Sequence, residues 1–202
     1  MAIKIYGVVR SRALRCLWML EELGLPYEQV PIVPREGTRT PDFLKINPNG
    51  HVPVLQDGNL TLIESMAINL YLAMKYNKGL WPASVEDQAR CAQWSFWGMM
   101  ETEAHLLAVL RNRLLLPENE RDEAKAKEAV QALQAPFRVI NDFLAGKTSL
   151  LGGAFSVADL NVASVLNWAS RGKVDVGAYP NLERWLGACT ARPAFKAALA
   201  KK

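Results

Sequence analysis

The 202-residue chain has only three cysteines, Cys16, Cys91 and Cys189. Their odd number, wide spacing and lack of any CxxC pair argue against a disulfide framework or a zinc site, and point to a reducing compartment. No apolar run approaches the roughly 20 residues of a membrane helix. The N-terminus reaches Arg10 and Arg12 without the apolar core of a cleavable leader. Charge of one sign is also scarce: residues 1–80 carry 9 Lys+Arg against 7 Asp+Glu, and residues 81–202 carry 15 against 13. The net charge of +4 is therefore spread without the basic stripe that nucleic acid requires. Internal repeats and low-complexity tracts are missing too. What remains is a globular chain, expected in the cytoplasm, with no nucleic acid or membrane partner and no metal.

The composition, 50% hydrophobic and 22% charged, suffices for one or two domains with real cores. Up to residue 78 the hydrophobic period changes repeatedly. Ile3, Ile5 and Gly7 alternate with Lys4 and Tyr6 as a strand, and a helical stripe from Ala13 stops before Gly24 and Pro26. Tyr27 to Val33 reads as a second strand, 34–42 as a loop, and 43–46 as one helical turn. Val52 to Leu55 and Leu60 to Ile63 flank Asp57-Gly58, a hairpin signal, before a helix over 64–76. Residues 79–87 form a linker. From 88 to 202 nearly everything reads as helix, with segments near 85–115, 121–145, 156–170, 180–189 and 193–201. The expectation is a small α/β domain over 1–78 followed by an all-α domain over 88–202.

Two local features carry chemistry. Pro53 follows Asn47-Pro48-Asn49-Gly50-His51-Val52 at the entry to an inner strand, where a residue without an N–H belongs only at the start or in a special turn. A cis Val52-Pro53 bond there would present the Val52 amide and carbonyl to an extended peptide. Eleven residues on, Glu64-Ser65 stands where a strand ends and a helix begins. A helix N-terminus with a hydroxyl and N–H groups suits a carboxylate, and Glu64 suits an ammonium; together they would recognise an α-amino acid end. A rigid strand entry and a polar helix start are the plainer readings of the same residues.

Asn-Pro-x-Gly-x-Val-Pro-Val-Leu, the Glu-Ser that follows, the linker and Phe155-Ser156-Val157-Ala158-Asp159-Leu160 occur in an order and spacing that resembles the glutathione S-transferases over nearly the whole chain. The resemblance implies an N-terminal thioredoxin-like domain that binds glutathione and a helical domain with a hydrophobic substrate pocket. It implies that Val52, ahead of Pro53, pairs with the cysteinyl backbone, that Glu64 and Ser65 hold the γ-glutamyl end, and that His51 lies near the glycyl carboxylate. The run Ser11-Arg12-Ala13-Leu14-Arg15 resembles the serine-type bacterial and fungal branch, which makes Ser11 the catalytic candidate and Tyr6 its rival. Glutathione would be a consumed cosubstrate rather than a cofactor, its partner a small hydrophobic electrophile, and the assembly a homodimer. A glutathione-dependent peroxidase or isomerase, or a non-catalytic interaction module, are the other functions this resemblance allows.

In the helical domain Trp97, Met100, His105 and Trp168 are candidates for the pocket, although such stripes also serve as core or subunit interface. Ser156 and Asp159 form an S-x-x-D variant of the capping box. Cys16 lies inside the first helix and reads as buried structure.

Overall fold

The computed structural model describes residues 3–201; Met1, Ala2 and Lys202, the outer ends of the expected domains, lie outside the described residues. Strand β1 (Ile3–Tyr6) buries Ile3 and Ile5 and leaves Lys4 and Tyr6 partly covered, as its alternation demands. It runs parallel to β2 (Tyr27–Val30) and antiparallel to β3 (Val54–Asp57), which pairs antiparallel with β4 (Leu60–Ile63). The sheet order is β2-β1-β3-β4. β2 stops at Val30 rather than Val33, because Pro31 and Pro34 cannot donate ladder hydrogen bonds.

Register fixes which side chains share a face. Ile5 lies opposite Leu55, and Tyr6 opposite Val54. The Tyr6 face packs on α2 (Pro41–Ile46): Phe43, Val52 and Val54 form a buried cluster with Tyr6, Ile32, Ile46 and Ile63 around it. Thr40 caps α2 by accepting the Phe43 N–H at 3.3 Å. Ile5 and Leu55, both fully buried, face the opposite way. Helices α1 (Ala13–Leu23) and α3 (Ser65–Tyr76) pack together. Asp57 ties the end of β3 to the last turn of α3, its Oδ2 accepting from Lys75 Nζ at 2.7 Å, Tyr76 OH at 2.8 Å and Tyr71 OH at 2.9 Å. Burial alone would raise this carboxyl's pKa; the three donors outweigh it and hold the group below its ordinary range.

The contacts gather residues 3–81 and 191–201 into one unit and Pro82–Thr190 into another. The final helix, α11 (Pro193–Leu199), thus packs with the first unit, whereas the sequence pattern alone had grouped it with the helical residues before it. Its Phe195 ring meets Trp18 of α1 edge-on at 4.7 Å. Arg192 donates to both carboxylate oxygens of Glu22, at 2.6 and 2.8 Å.

In the second unit α4 (Val85–Trp97), a π-helical stretch Gly98–Glu103, α5 (Ala104–Leu110) and a second π-helical stretch Arg111–Leu115 succeed one another along 85–115. The helix expected over 121–145 is two, α6 (Glu123–Ala132) and α7 (Gln134–Phe143). Pro136 has no N–H for the carbonyl four residues back and its ring crowds that position, so the break falls at Leu133. Helix α8 (Val157–Leu166) buries all ten of its residues. The capping box at its start is present and extends further than the sequence implied. Fully buried Asp159 accepts from the Ser156 N–H and hydroxyl at 2.9 Å each, from the Leu150 N–H at 2.8 Å and from Trp185 Nε1 at 2.9 Å. Short α9 (Trp168–Arg171) and α10 (Pro180–Thr190) complete the unit. The architecture is an α/β domain with a four-stranded sheet followed by a helical domain.

Candidate active site

Beyond the end of β1 the chain must pass between two other segments, and Gly7 is what lets it. At φ 129°, a Cβ on Gly7 would stand 2.6 Å from the Ala13 Cβ and 3.1 Å from the Val52 Cβ. Only glycine allows the start of α1 and the residue before Pro53 to come this close.

Ser11 shapes the turn that launches α1. Its N–H and its hydroxyl both donate to the Val8 carbonyl, at 3.0 and 2.7 Å, and its Oγ accepts the Ala13 N–H at 3.1 Å. The hydroxyl therefore does the work of a cap while remaining partly exposed. Rotation about Cβ–Oγ would free its proton for a ligand without breaking the bond from Ala13. An anion here also gains from the dipole of an 11-residue helix.

Tyr6 lies on the α2 face of the sheet. Its hydroxyl donates to Gln56 Oε1 at 2.8 Å and its ring meets Phe43 edge-on at 6.3 Å. Cys16 is fully buried, its Sγ 3.7 Å from the Ser65 carbonyl, and burial drives its thiol above the ordinary range despite the neighbouring Arg15. A thiol so placed is not a nucleophile.

The Val52-Pro53 bond is cis, and both residues are buried. Neither the N–H nor the carbonyl of Val52 has a hydrogen-bond partner among the described residues. Ahead of it, Asn47 organises the loop: its Nδ2 donates to the His51 carbonyl at 2.7 Å, its Oδ1 accepts from the Asn49 N–H at 3.1 Å, and its own carbonyl accepts from Gly50 at 2.9 Å. His51 is exposed. Gly50, at φ 62°, leaves room for Arg39, whose Nη1 would be 2.7 Å from a Cβ there. This permanent cation beside Gly50 was not foreseen; the loop that carries it has no periodicity to place it.

Glu64 enters α3 at φ 69° and ψ 113°, exposed and without a side-chain cap bond. A non-glycine residue held at such angles costs about 1–3 kcal/mol and marks a place where the surrounding structure imposes the conformation. Ser65, the first residue of α3, is buried, and its Oγ accepts from Arg15 Nη1 at 3.2 Å. Arg15, only 1% exposed, was overlooked as a contributor because a single cation in an apolar helix stripe gives no hint of what it meets.

The structure thus brings Gly7, Val52 and the start of α1 together, and joins α1 to Ser65 through Arg15. Trp97, Met100, His105 and Trp168 belong to the second unit. Trp97 meets Trp94 edge-on at 5.3 Å, Met100 is 77% exposed, His105 is half-buried and Trp168 is buried. A cleft of about 570 Å³ in that unit is lined by Arg113, Arg121, Glu123, Arg171 and Lys173 among others, and by none of those four. Among the described residues no cluster of His, Cys, Asp and Glu gathers as a metal site, and no helix is long and apolar enough to cross a membrane.

Comparison with known proteins supplies the family. Residues 1–74 match the model of the glutathione S-transferase N-terminal domain, and residues 96–193 that of the C-terminal domain. Glutathione S-transferase 4 of Zea mays is 35% identical over 204 residues, spanning 96% of this chain and 90% of its own. Glutathione S-transferase GstB of Escherichia coli K12 is 34% identical over 194 residues, spanning 90% and 89%. The crystal structure of the theta class glutathione S-transferase from Xanthomonas axonopodis pv. citri with glutathione bound aligns with a TM-score of 0.91 at 30% identity, over 100% of this chain and 98% of that one. Family models that span most of the chain, and relatives above 30% identical over nine-tenths of it, establish that the chain belongs to the glutathione S-transferase family.

Proposed function

We propose that this glutathione transferase ionises the thiol of glutathione against the Ser11 hydroxyl and directs the thiolate at an electrophilic carbon of a small hydrophobic substrate, as a member of the serine-type bacterial and fungal branch. The thiol proton leaves to solvent, the new carbon–sulfur bond forms as the leaving group departs, and glutathione is consumed as cosubstrate with no cofactor or metal. The observation that carries this reading is the Ser11 hydroxyl itself, held in the turn before α1 by Val8 and Ala13 while that helix start touches Gly7 beside Val52.

In this reading the open amide and carbonyl of Val52, set by Pro53, pair with the cysteinyl backbone. Ser65 and Glu64 hold the γ-glutamyl end, and His51 with Arg39 faces the glycyl carboxylate. Residues 1–78 bind glutathione, 79–87 link, and the helical unit that follows, up to Thr190, provides the apolar pocket with Trp97, Met100, His105 and Trp168. The working form is a cytoplasmic homodimer.

The test is retention on immobilised glutathione followed by turnover with aryl halide, peroxide and disulfide substrates. Retention with turnover of the aryl halide is expected. Retention without turnover of the aryl halide would contradict the transferase assignment, and failure to be retained would contradict the glutathione site.

A further inference from the structure

Four cations from separate stretches of sequence meet in the helical unit, and no local run of charge announces them. Arg113 lies in the second π-helical stretch and Arg121 shortly after it, whereas Arg171 ends α9 and Lys173 stands just beyond. All four line the cleft of about 570 Å³, in which Glu123 is the one carboxylate. Counted over the residues that line it, the cleft carries three positive charges in excess.

The frame of this cleft is fixed by hydrogen bonds. Arg113 grips Glu123 in a fork, Nε to Oε2 at 3.1 Å and Nη2 to Oε1 at 2.7 Å, and the pairing holds the Glu123 carboxyl below its ordinary range. Its Nη1 donates to the carbonyls of Gly172 at 2.7 Å and Lys173 at 3.2 Å, which ties the π-helical stretch to the turn after α9. That turn is tight because residue 172 is glycine: a Cβ there would stand 2.9 Å from Val109 Cγ1. Carbonyls also orient Arg121, its Nε donating to Leu116 at 2.9 Å and its Nη2 to Leu114 at 3.3 Å, without cancelling its charge. Exposed Glu118 comes no nearer its Nη1 than 3.9 Å. The side chains of Arg171 and Lys173 have no hydrogen bond or ion pair among the described residues.

With Glu123 engaged by Arg113, the groups open to a ligand are Arg121, Arg171 and Lys173. A carboxylate brings two oxygens in one plane and a single charge. A phosphate monoester brings three terminal oxygens and a charge of about −1.5 to −2 at neutral pH, a closer match to three cations. The cleft leaves room beyond a phosphate, within the roughly 300–1,000 Å³ of small-molecule sites, and Leu114, 43% exposed, gives the esterified group an apolar surface.

We propose that this cleft is a second binding site, for a small organic phosphate monoester, held by Arg121, Arg171 and Lys173 and framed by the Arg113–Glu123 pair. It uses none of the residues assigned to glutathione.

The experiment titrates the full chain with phenyl phosphate by calorimetry, with S-methylglutathione in excess to occupy the proposed glutathione site. Saturable binding with a Kd in the millimolar range or below is expected, weakening as salt is added. Arg171→Gln and Lys173→Asn should each weaken it roughly five- to tenfold, between the worth of an exposed ion pair and that of a hydrogen bond to a charged group. Asparagine is chosen because Lys173 sits at φ 52°, which that residue tolerates. Lys125→Gln removes an exposed cation that does not line the cleft and should leave the affinity unchanged. Benzoate, with the same ring and a single charge, should bind at least about tenfold more weakly. From about pH 5 to about pH 7.5 the affinity for phenyl phosphate should rise as its second proton leaves, and that for benzoate should not. Inorganic phosphate should bind more weakly than phenyl phosphate for want of contact with Leu114. Absence of saturable binding, binding that survives both cleft substitutions, or an equal loss with Lys125→Gln overturns the site. Benzoate or inorganic phosphate bound as tightly as phenyl phosphate overturns the ligand class.

Discussion

Replacing Ser11 by alanine tests the thiolate assignment, and the structure gives the size of the effect. In the free protein the hydroxyl donates to the Val8 carbonyl at 2.7 Å while accepting from Ala13 at 3.1 Å. Donating to a thiolate means exchanging a neutral hydrogen bond, worth about 1 kcal/mol net, for one to a charged acceptor, worth about 1.5–3 kcal/mol. The surplus is about 1 kcal/mol, or somewhat under one pKa unit at 1.36 kcal/mol per unit. Ser11→Ala should therefore raise the apparent pKa in the pH dependence of kcat/KM by about one unit, with glutathione affinity little changed. The lost cap lowers stability by about 1 kcal/mol, so the profile is recorded well below the melting temperature. Tyr6→Phe should leave the profile in place, since its hydroxyl is bonded to Gln56 on the α2 face. A shift with Tyr6→Phe and none with Ser11→Ala would pass the thiolate's partner role to Tyr6 and overturn the assignment of Ser11.

Three further outcomes follow from named contacts. Glu64→Gly should raise thermal stability by about 1 kcal/mol, since relief of about 1–3 kcal/mol of backbone strain exceeds the 0.5–1 kcal/mol entropic cost of glycine, while the KM for glutathione rises; a lower melting temperature would contradict this. Asp57→Asn should cost about 2 kcal/mol at pH 7. Because the folded carboxyl titrates below its unfolded value of about 3.9, that contribution is complete above this pH and lost as pH falls through the folded value, so the gap between wild type and variant in urea melts should close in acid. A gap independent of pH would count against the hydrogen bonds from Lys75, Tyr76 and Tyr71. Asp159→Ala should destabilise by at least about 3 kcal/mol by stranding buried donors from Ser156, Leu150 and Trp185, against about 1 kcal/mol for Ser156→Ala; equal denaturant midpoints would show that the Leu150 and Trp185 bonds carry nothing.

The strands, the hairpin and most helices could be read from the sequence because their signals are local: alternation in Ile3–Tyr6, the Asp57-Gly58 step, the Gly24 stop. Misreadings arose where a local signal was outweighed. The helical stripe over 121–145 concealed the missing N–H of Pro136, and the pattern over 193–201 could not say that Phe195 would cover Trp18 of α1. In the sequence Asp159 reads as a capping residue alone, because Trp185 lies 26 residues away in the chain and nothing local announces their bond. At the site, Ser11, Val52, Pro53, Glu64 and Ser65 stood out because each occupies a junction between elements. Arg15, Asn47 and Arg39 did not. Their importance lies in contacts across loops and helices, Arg15 to Ser65 fifty residues away above all.

In the proposed complex glutathione lies with its sulfur at the start of α1 and its γ-glutamyl carboxylate at the start of α3. A crystal structure of the protein with glutathione bound tests it most directly. The sulfur is expected within hydrogen-bond distance of the Ser11 Oγ, the cysteinyl backbone paired with Val52, and the α-carboxylate accepting from Ser65. A sulfur placed instead against Tyr6, or a γ-glutamyl end bound away from Ser65, would contradict it.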